Sequence, residues 1–179
     1  MVRSRSAGIL MVTMSGTIQP SPLDPEKVLS ILSEISILGG LSDEDLEVVL
    51  GLLHIELCAA GERVFEQGGT PSHIYIVRSG HIRIVANIDT EPLELVDFGV
   101  GQCFGETSVI GILPHSAAAV ALEDSELLVL PRPGLYGLHK DHPSLFGMLI
   151  LNIAREACRR LYQADQVLLQ YAKGHEKAP

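Results

Sequence analysis

The spacing of apolar residues changes twice along this chain. Over residues 28–38, apolar side chains recur at intervals of three and four, which predicts a first helix that ends at Gly39-Gly40. Ser42 followed three residues later by Asp45 is typical of a helix N-cap. A second, short helix is therefore expected from Ser42 through Leu50.

From about Ile55 the spacing becomes that of β-strands. Short runs alternate polar residues with apolar or β-branched ones, and glycines such as Gly61, Gly68-Gly69 and Gly80 separate the runs. Short strands joined by glycine turns at close spacing indicate a barrel or a sandwich. We expect strands at residues 63–66, 73–77, 81–85, 93–96, 117–122 and 126–130.

After Pro131 and Pro133 the helical pattern returns. It predicts a short element over residues 134–140 and a long helix that starts near Pro143. On the long helix, leucines and small residues alternate at spacings of four and three, as in a heptad seam. The seam is either a dimer contact or the face that packs on the barrel, and it comprises Ile150, Ala154, Ala157, Leu161, Ala164, Leu168 and Tyr171.

Composition narrows the classes of function. The formal charge of −9 disfavours direct nucleic-acid binding, which depends on Lys and Arg neutralising phosphates. No apolar run is long enough to span a membrane. The three cysteines are scattered and form no CxxC pair, which fits a reducing compartment, so the cytoplasm is the expected location.

The segment from Gly101 to Ala117 carries the candidate chemistry. A strand ends at Phe104, Gly105 removes the Cβ, and a short helical turn begins. Free backbone N–H groups at such a start attract anions, and Thr107 and Ser108 add hydroxyl donors. Glu106 is an acceptor beside this cradle, which suits a ligand that also carries hydroxyl groups, such as a ribose.

Three motifs in this order resemble the cyclic-nucleotide-binding family, which includes the catabolite activator protein and the regulatory subunits of cAMP-dependent kinase. They are GERVFEQG at residues 61–68, IYIVRSGHIRI at residues 74–84 and a phosphate cassette at residues 104–120. The resemblance covers roughly residues 28–170. It implies a mainly β fold with flanking helices: a double-stranded β-helix (jelly-roll) barrel with N-terminal helices and a long C-terminal helix.

The resemblance also implies roles for the cassette residues. The family's Gly-Glu pair falls on Gly105 and Glu106, which implies contact with a phosphate and with a ribose 2′-hydroxyl, and Ser108 implies a further backbone contact. The family's phosphate arginine falls on His115, and Ser116 beside it carries a hydroxyl. The expected ligand-binding residues are Phe104, Gly105, Glu106, Thr107, Ser108, His115 and Ser116, and the possible ligands are cAMP and cGMP.

His115 departs from the family pattern at its charged residue. A hydrogen bond to a charged group is worth ~1.5–3 kcal/mol, so its loss weakens binding roughly 10- to 100-fold. Histidine is either a weaker substitute or a sign that the pocket takes another ligand or none. Arg159 and Arg160 on the long helix either approach the base, as residues of that helix do in the family, or form a solvated helix face. The solvated face is the commoner explanation, so both are left out of the site.

The predicted domain spans residues 22–172, between a flexible tail at residues 1–21 and a second tail at residues 173–179. Those seven last residues are too few for a helix-turn-helix domain, so no DNA-binding domain is expected. The histidines do not cluster with acids at metal-ligand spacing, and no catalytic arrangement stands out, so no enzyme is expected.

We expect a regulatory sensor module that binds a cyclic nucleotide or another anion and transmits ligand state through its C-terminal helix. Its partner is a second copy, which makes a homodimer through that helix, or another protein. The alternative is a degenerate domain that has lost its ligand and serves protein interaction or dimerisation.

Overall fold

The computed structural model describes residues 10–12, 18–20 and 35–175, and the side chains of residues 35–173. Its helical elements are a 3-10 turn at Ser36–Leu38 and helices α1 Asp43–Leu50, α2 Glu106–Gly111, α3 Arg132–Asp141 and α4 Pro143–His175. Its strands are β1 Leu10–Val12, β2 Ile18–Pro20, β3 His54–Cys58, β4 Arg63–Phe65, β5 His73–Ser79, β6 Ile82–Ala86, β7 Leu93–Phe98, β8 Cys103–Phe104, β9 Ala118–Ala121 and β10 Ser125–Pro131.

The strands form two sheets that face each other. One sheet has the order β2-β1-β3-β10-β5-β8 and the other β4-β9-β6-β7. Every described pairing is antiparallel except that of β1 with β3. This two-sheet architecture with its long last helix confirms the jelly-roll fold expected from the sequence.

Two adjacent inner strands of the larger sheet, β5 and β10, are buried on both faces. Ile74 and Ile76 of β5 pack toward the helices, whereas Tyr75 and Val77 point into the space between the sheets. Alternate residues of a strand point to opposite faces, so one run of apolar residues serves two cores. The same alternation on β10 places Leu128 and Leu130 on the helix side and Leu127 and Val129 inside the barrel.

The first half of α4 is fixed to the outer face of the larger sheet. Leu145, Leu149 and Ile153 are buried in the core on the helix side. The buried Asn152 donates from Nδ2 to the backbone oxygens of Ile37 at 3.2 Å and Gly39 at 2.9 Å. A buried amide with satisfied donors fixes the position of the helix more specifically than apolar packing does.

The N-terminal expectations have mixed outcomes. Ser42 caps α1 as predicted, since its Oγ accepts from the backbone N–H of Asp45 at 3.2 Å. Of the expected helix over residues 28–38, residues 28–34 lie outside the described part, and residues 36–38 form a single 3-10 turn.

The expected boundaries of both tails also differ from the structure. Two short strands, β1 and β2, lie within the segment expected to be a flexible tail, and β1 pairs with β3 in register from Leu10 opposite His54. Backbone pairing at a sheet edge needs no strong side-chain pattern, so the sequence gives little sign of it. Helix α4 continues to His175, beyond the expected boundary at residue 172.

Gly80 provides a test of the turn between β5 and β6. Its φ is +87°, and an added Cβ would lie 2.2 Å from Ser125 Oγ. Gly61 has a similar φ of +82° but open space around it. Left-handed backbone costs an L-residue roughly 1–2 kcal/mol, so Gly61→Ala should lower the free energy of unfolding by about that amount. Gly80→Ala should lower it by more, measured by urea denaturation, and equal losses would contradict the predicted clash.

Candidate ligand-binding site

A strand, a glycine and a short helix build one wall of the site. Strand β8 ends at Phe104, Gly105 has a φ of +81°, and α2 begins at Glu106. A Cβ on Gly105 would lie 3.1 Å from the backbone oxygen of His73 and 3.3 Å from the ring of Tyr75. Both the backbone conformation and the close packing therefore require glycine here.

This wall borders a cavity of about 220 Å³ between the two sheets. All seven predicted site residues line it, so residues 104–108 and 115–116 are brought together as the sequence suggested. Their contact with a ligand stays a prediction. Their surroundings are mostly apolar, and the other lining residues are Phe65, Ile84, Leu95, Val96, Phe98, Ala117 and Arg160.

Glu106 and Arg160 form an ion pair within the cavity wall. Glu106 is only 1% exposed, and Arg160 Nη1 donates to its Oε1 at 2.6 Å. Arg160 also donates to the backbone oxygen of Cys103, and its Nε lies 3.2 Å from Glu156 Oε1. Its guanidinium carbon lies 4.6 Å from the centre of the Phe98 ring, a cation–π distance.

Burial controls the protonation of the groups around this pair. Loss of solvent raises the pKa of Glu106, and the positive charge of Arg160 opposes that rise. Burial likewise raises the pKa of the Cys103 thiol to about 12, so this cysteine stays protonated. The second oxygen of Glu106, Oε2, is buried and has no hydrogen-bond partner among the described residues.

His115 lies flat against an aromatic ring. Its ring centre is 3.7 Å from that of Phe65, with 9° between the planes, and the residue is buried. Burial lowers the pKa of His115, which favours the neutral imidazole. The loop is fixed by its backbone, because Gly68 N donates to His115 O at 2.8 Å and His115 N donates to Gly69 O at 3.0 Å.

Arg160 is the residue that the sequence interpretation missed. We interpreted it as part of a solvated face, and that interpretation is wrong, since the side chain reaches into the cavity and bonds Glu106. The spacing along the helix could have predicted this position. Arg160 follows Ile153 by seven positions and Leu149 by eleven, so it lies on the same face of α4 as these two buried residues. Arg159 behaves as expected, exposed and bonded to Glu156.

The heptad seam on α4 does not pack on the barrel. Ile150 is partly buried against the core, but Ala154 and Leu161 are exposed, and every residue from 161 to 173 is exposed. The buried face of the helix runs instead through Leu149 and Ile153. The alternative in which the seam is the barrel-facing surface is therefore wrong.

The described part of the chain has neither a metal-binding cluster nor a membrane-spanning helix. Within residues 35–173, no group of three or more His, Cys, Asp or Glu side chains is arranged to hold a metal ion. In the described part of the chain, no helix has the length and apolar character needed to cross a membrane.

Fold and site together define a class of protein: a jelly-roll barrel whose strand–glycine–helix cradle borders an internal cavity, with an arginine of the last helix in the cavity wall. Residues 56–142 match the family model for the cyclic nucleotide-binding domain. This part of the chain therefore carries a cyclic nucleotide-binding domain.

Known proteins share this architecture. A cyclic AMP receptor protein from Thermus thermophilus is 33% identical over 127 residues, which are 70% of this chain and 57% of the relative. The crystal structure of the Thermus thermophilus catabolite activator protein matches with a TM-score of 0.67 and 31% identity, over 76% of this chain and 63% of that one. The present chain thus spans less than two thirds of either Thermus protein.

A crystal structure of a cyclic nucleotide-binding domain from Methylobacillus flagellatus matches with a TM-score of 0.72. The match covers 82% of this chain and 83% of that one at 22% identity. At this level of identity the similarity concerns the fold alone.

The neutral, stacked state of His115 predicts a pH dependence of stability. Because its pKa is lowered in the folded protein, its contribution is full above the ordinary histidine pKa of about 6.5 and is lost as the pH falls below it. His115→Phe keeps a ring against Phe65 and removes the titration. Between pH 7.5 and pH 5.5, the wild type should lose up to about 1.4 kcal/mol more stability than this variant, measured by urea denaturation.

The matched control is His139→Phe, which changes an exposed histidine of α3. This variant should follow the wild type across the same pH range. Equal pH dependence of the wild type and His115→Phe would show that His115 is not held neutral.

Proposed function

We propose that this chain is a regulatory module that binds a small hydroxyl-bearing molecule in the barrel cavity and transmits the bound state through α4. One observation carries the proposal: Arg160, which belongs to α4, bonds Glu106 of the cradle at 2.6 Å. Arg160 therefore connects the cavity wall to α4, the helix proposed to transmit the bound state. The family supplies cAMP and cGMP as the first ligands to test.

The proposed mechanism is a competition for Glu106. A ligand whose hydroxyl groups donate hydrogen bonds to the Glu106 carboxylate replaces the hydrogen bond that Arg160 donates to it. The Arg160 guanidinium is then released and pairs with Glu156 alone. A ligand shifts an equilibrium only by its difference in affinity for two states. Here the two states differ in whether the middle of α4 is bonded to the barrel at Arg160.

A second candidate function is favoured by His115. Its imidazole is buried against Phe65 and kept neutral, so it supplies no charge to a phosphate. In this alternative the domain binds no nucleotide and acts as an interaction or dimerisation module. The family comparison supports a regulatory or binding role in both cases, and we propose that the domain is not an enzyme.

We also propose that α4 joins two copies of the chain. Within the described part of the chain, residues 161–170 are all exposed, and Leu161 and Leu168 are 64% and 65% exposed. These leucines continue the heptad seam, and such a seam favours pairing with an identical helix. The proposed setting is the cytoplasm, which fits three free cysteines.

Cys158 permits a direct test of the signalling proposal. It is exposed, whereas Cys58 and Cys103 are buried, so a thiol-reactive fluorophore should label this residue of α4 selectively. Titration with cAMP, cGMP and adenosine should give a saturable fluorescence change for at least one ligand, with matching heat in calorimetry. Glu106→Gln should weaken that binding about 10-fold, because a hydrogen bond to a charge is worth ~1.5 kcal/mol or more.

The matched pair Arg160→Met and Arg159→Met separates coupling from binding. Removing Arg160 should abolish most of the fluorescence change, since the contact to be released is already absent. Arg159 does not line the cavity, so Arg159→Met should behave as the wild type does. Heat without any fluorescence change would refute transmission, and no heat with any ligand at millimolar concentration would favour the scaffold alternative.

Light scattering tests the proposed dimer. The wild type should have twice the mass of one chain, and Leu161→Lys or Leu168→Lys should give the monomer, because a lysine at the seam places two like charges in contact. Gln166→Lys lies on the opposite face of the same exposed segment and should remain dimeric. A monomeric wild type at micromolar concentration would refute the proposal.

A further inference from the structure

The charges that line the cavity sum to zero. Its formally charged lining residues, within the described part of the chain, are Glu106 and Arg160, and these two are bonded to each other. Arg160 also contacts Glu156, and Glu156 in turn binds Arg159. The wider cluster therefore contains two carboxylates and two guanidiniums, so no cation is left over for an anionic ligand.

His115 does not change this balance. It is buried, its ring is stacked on Phe65, and burial opposes its protonation. The hydroxyls of Thr107, Ser108 and Ser116 and the backbone of α2 are neutral groups. They can donate hydrogen bonds to phosphate oxygens, and the start of α2 attracts anions, but none of them carries the full positive charge of the family's arginine. The net charge of −9 adds a field that repels anions.

The Glu106 carboxylate requires a donor. Its Oε2 is buried without a hydrogen-bond partner, and leaving a buried acceptor unsatisfied is costly. Because Glu106 lines the cavity, a hydroxyl group of a ligand is well suited to donate the hydrogen bond that Oε2 lacks. A phosphate, in contrast, brings acceptors and negative charge to a carboxylate that already has too few donors.

The rest of the cavity is suited to a flat ring. Phe65, Phe98, Phe104 and the His115 imidazole all line it, beside the aliphatic side chains of Ile84 and Leu95. Aromatic faces bind planar rings by stacking, whichever base or heterocycle the ring belongs to. The volume of about 220 Å³ lies below the usual range for drug-sized ligands, so the ligand is small.

We propose that the cavity selects an uncharged nucleoside, a flat ring joined to hydroxyl groups, over a nucleotide that carries a phosphate. This inference rests on the proposed function, in that it requires the cavity to bind a ligand. It specifies the chemical class of that ligand. The preference for nucleoside over nucleotide is attributed to the lack of an unpaired positive charge beside α2.

Calorimetric titration of the full chain with adenosine, guanosine, cAMP and cGMP under one set of conditions tests the proposal. We expect at least one nucleoside to bind at least about 10-fold more tightly than its own cyclic phosphate, the effect of a phosphate bound without a charged partner. Equal or tighter binding of both cyclic nucleotides would overturn the inference and leave the sensor proposal intact. No binding of any of the four would overturn both.

A charge-insertion variant tests the assigned cause. His115→Arg adds a cation to the cavity and should tighten binding of cAMP roughly 10- to 100-fold while changing adenosine binding by less than about 3-fold. His139→Arg adds the same charge at an exposed site on α3 and should leave the preference of the wild type unchanged. If both variants change the preference equally, the discrimination is not local and the inference is wrong.

Ser116→Arg provides the same test without a change in the buried ring stack. Ser116 is exposed and lines the cavity, so an arginine there should be tolerated even where His115→Arg does not fold. The same gain for cAMP is expected. A properly folded Ser116→Arg protein with the nucleotide preference of the wild type would count against a missing cation as the cause.

Discussion

The carboxylate of Glu106 lies in the wall of the barrel, 1% exposed, with the guanidinium of Arg160 bonded to one of its oxygens. Removing Arg160 leaves the buried Glu106 carboxylate without a charged partner, which typically costs several kcal/mol, whereas Arg160 without Glu106 keeps its contact with Glu156. The pair thereby ties a residue of the cradle to a residue 54 positions later on α4. It fixes the middle of α4 to the cavity wall, beyond the part of the helix that Asn152 and the apolar core already hold.

The barrel interior is filled by side chains of unequal size. Tyr75, Phe98 and Phe104 occupy one part of the core between the sheets, whereas β9 contributes the small side chains of Ala119 and Ala121. Protein interiors are normally packed to crystal-like density. Empty space therefore remains only where small side chains face each other and no large side chain fills the gap. That space lies beside Ala117 and the cradle.

Much of the fold was predictable because β5 and β10 are short apolar runs that end beside Gly80 and at Pro131, and because Ser42 has a standard capping sequence. The cradle at Phe104-Gly105-Glu106 was predictable for a related reason: a left-handed glycine between a strand and a helix leaves a local signature. The ion pair was not found, since it joins groups distant in sequence and its helical phase was interpreted as solvent-facing. The state of His115 was likewise open, because its partner Phe65 is fifty residues away and only packing makes them neighbours.

The exposed C-terminal part of α4 connects the helical state of this segment with the proposed association of two chains. Isolated helices shorter than about 12–15 residues are marginal in water, and in the described part of the chain residues 161–170 are all exposed. Their helical state is stabilised by continuity with the anchored first half and by whatever binds the seam. In the proposed dimer, the helix content of this segment depends on protein concentration, because the segment folds as the two chains associate.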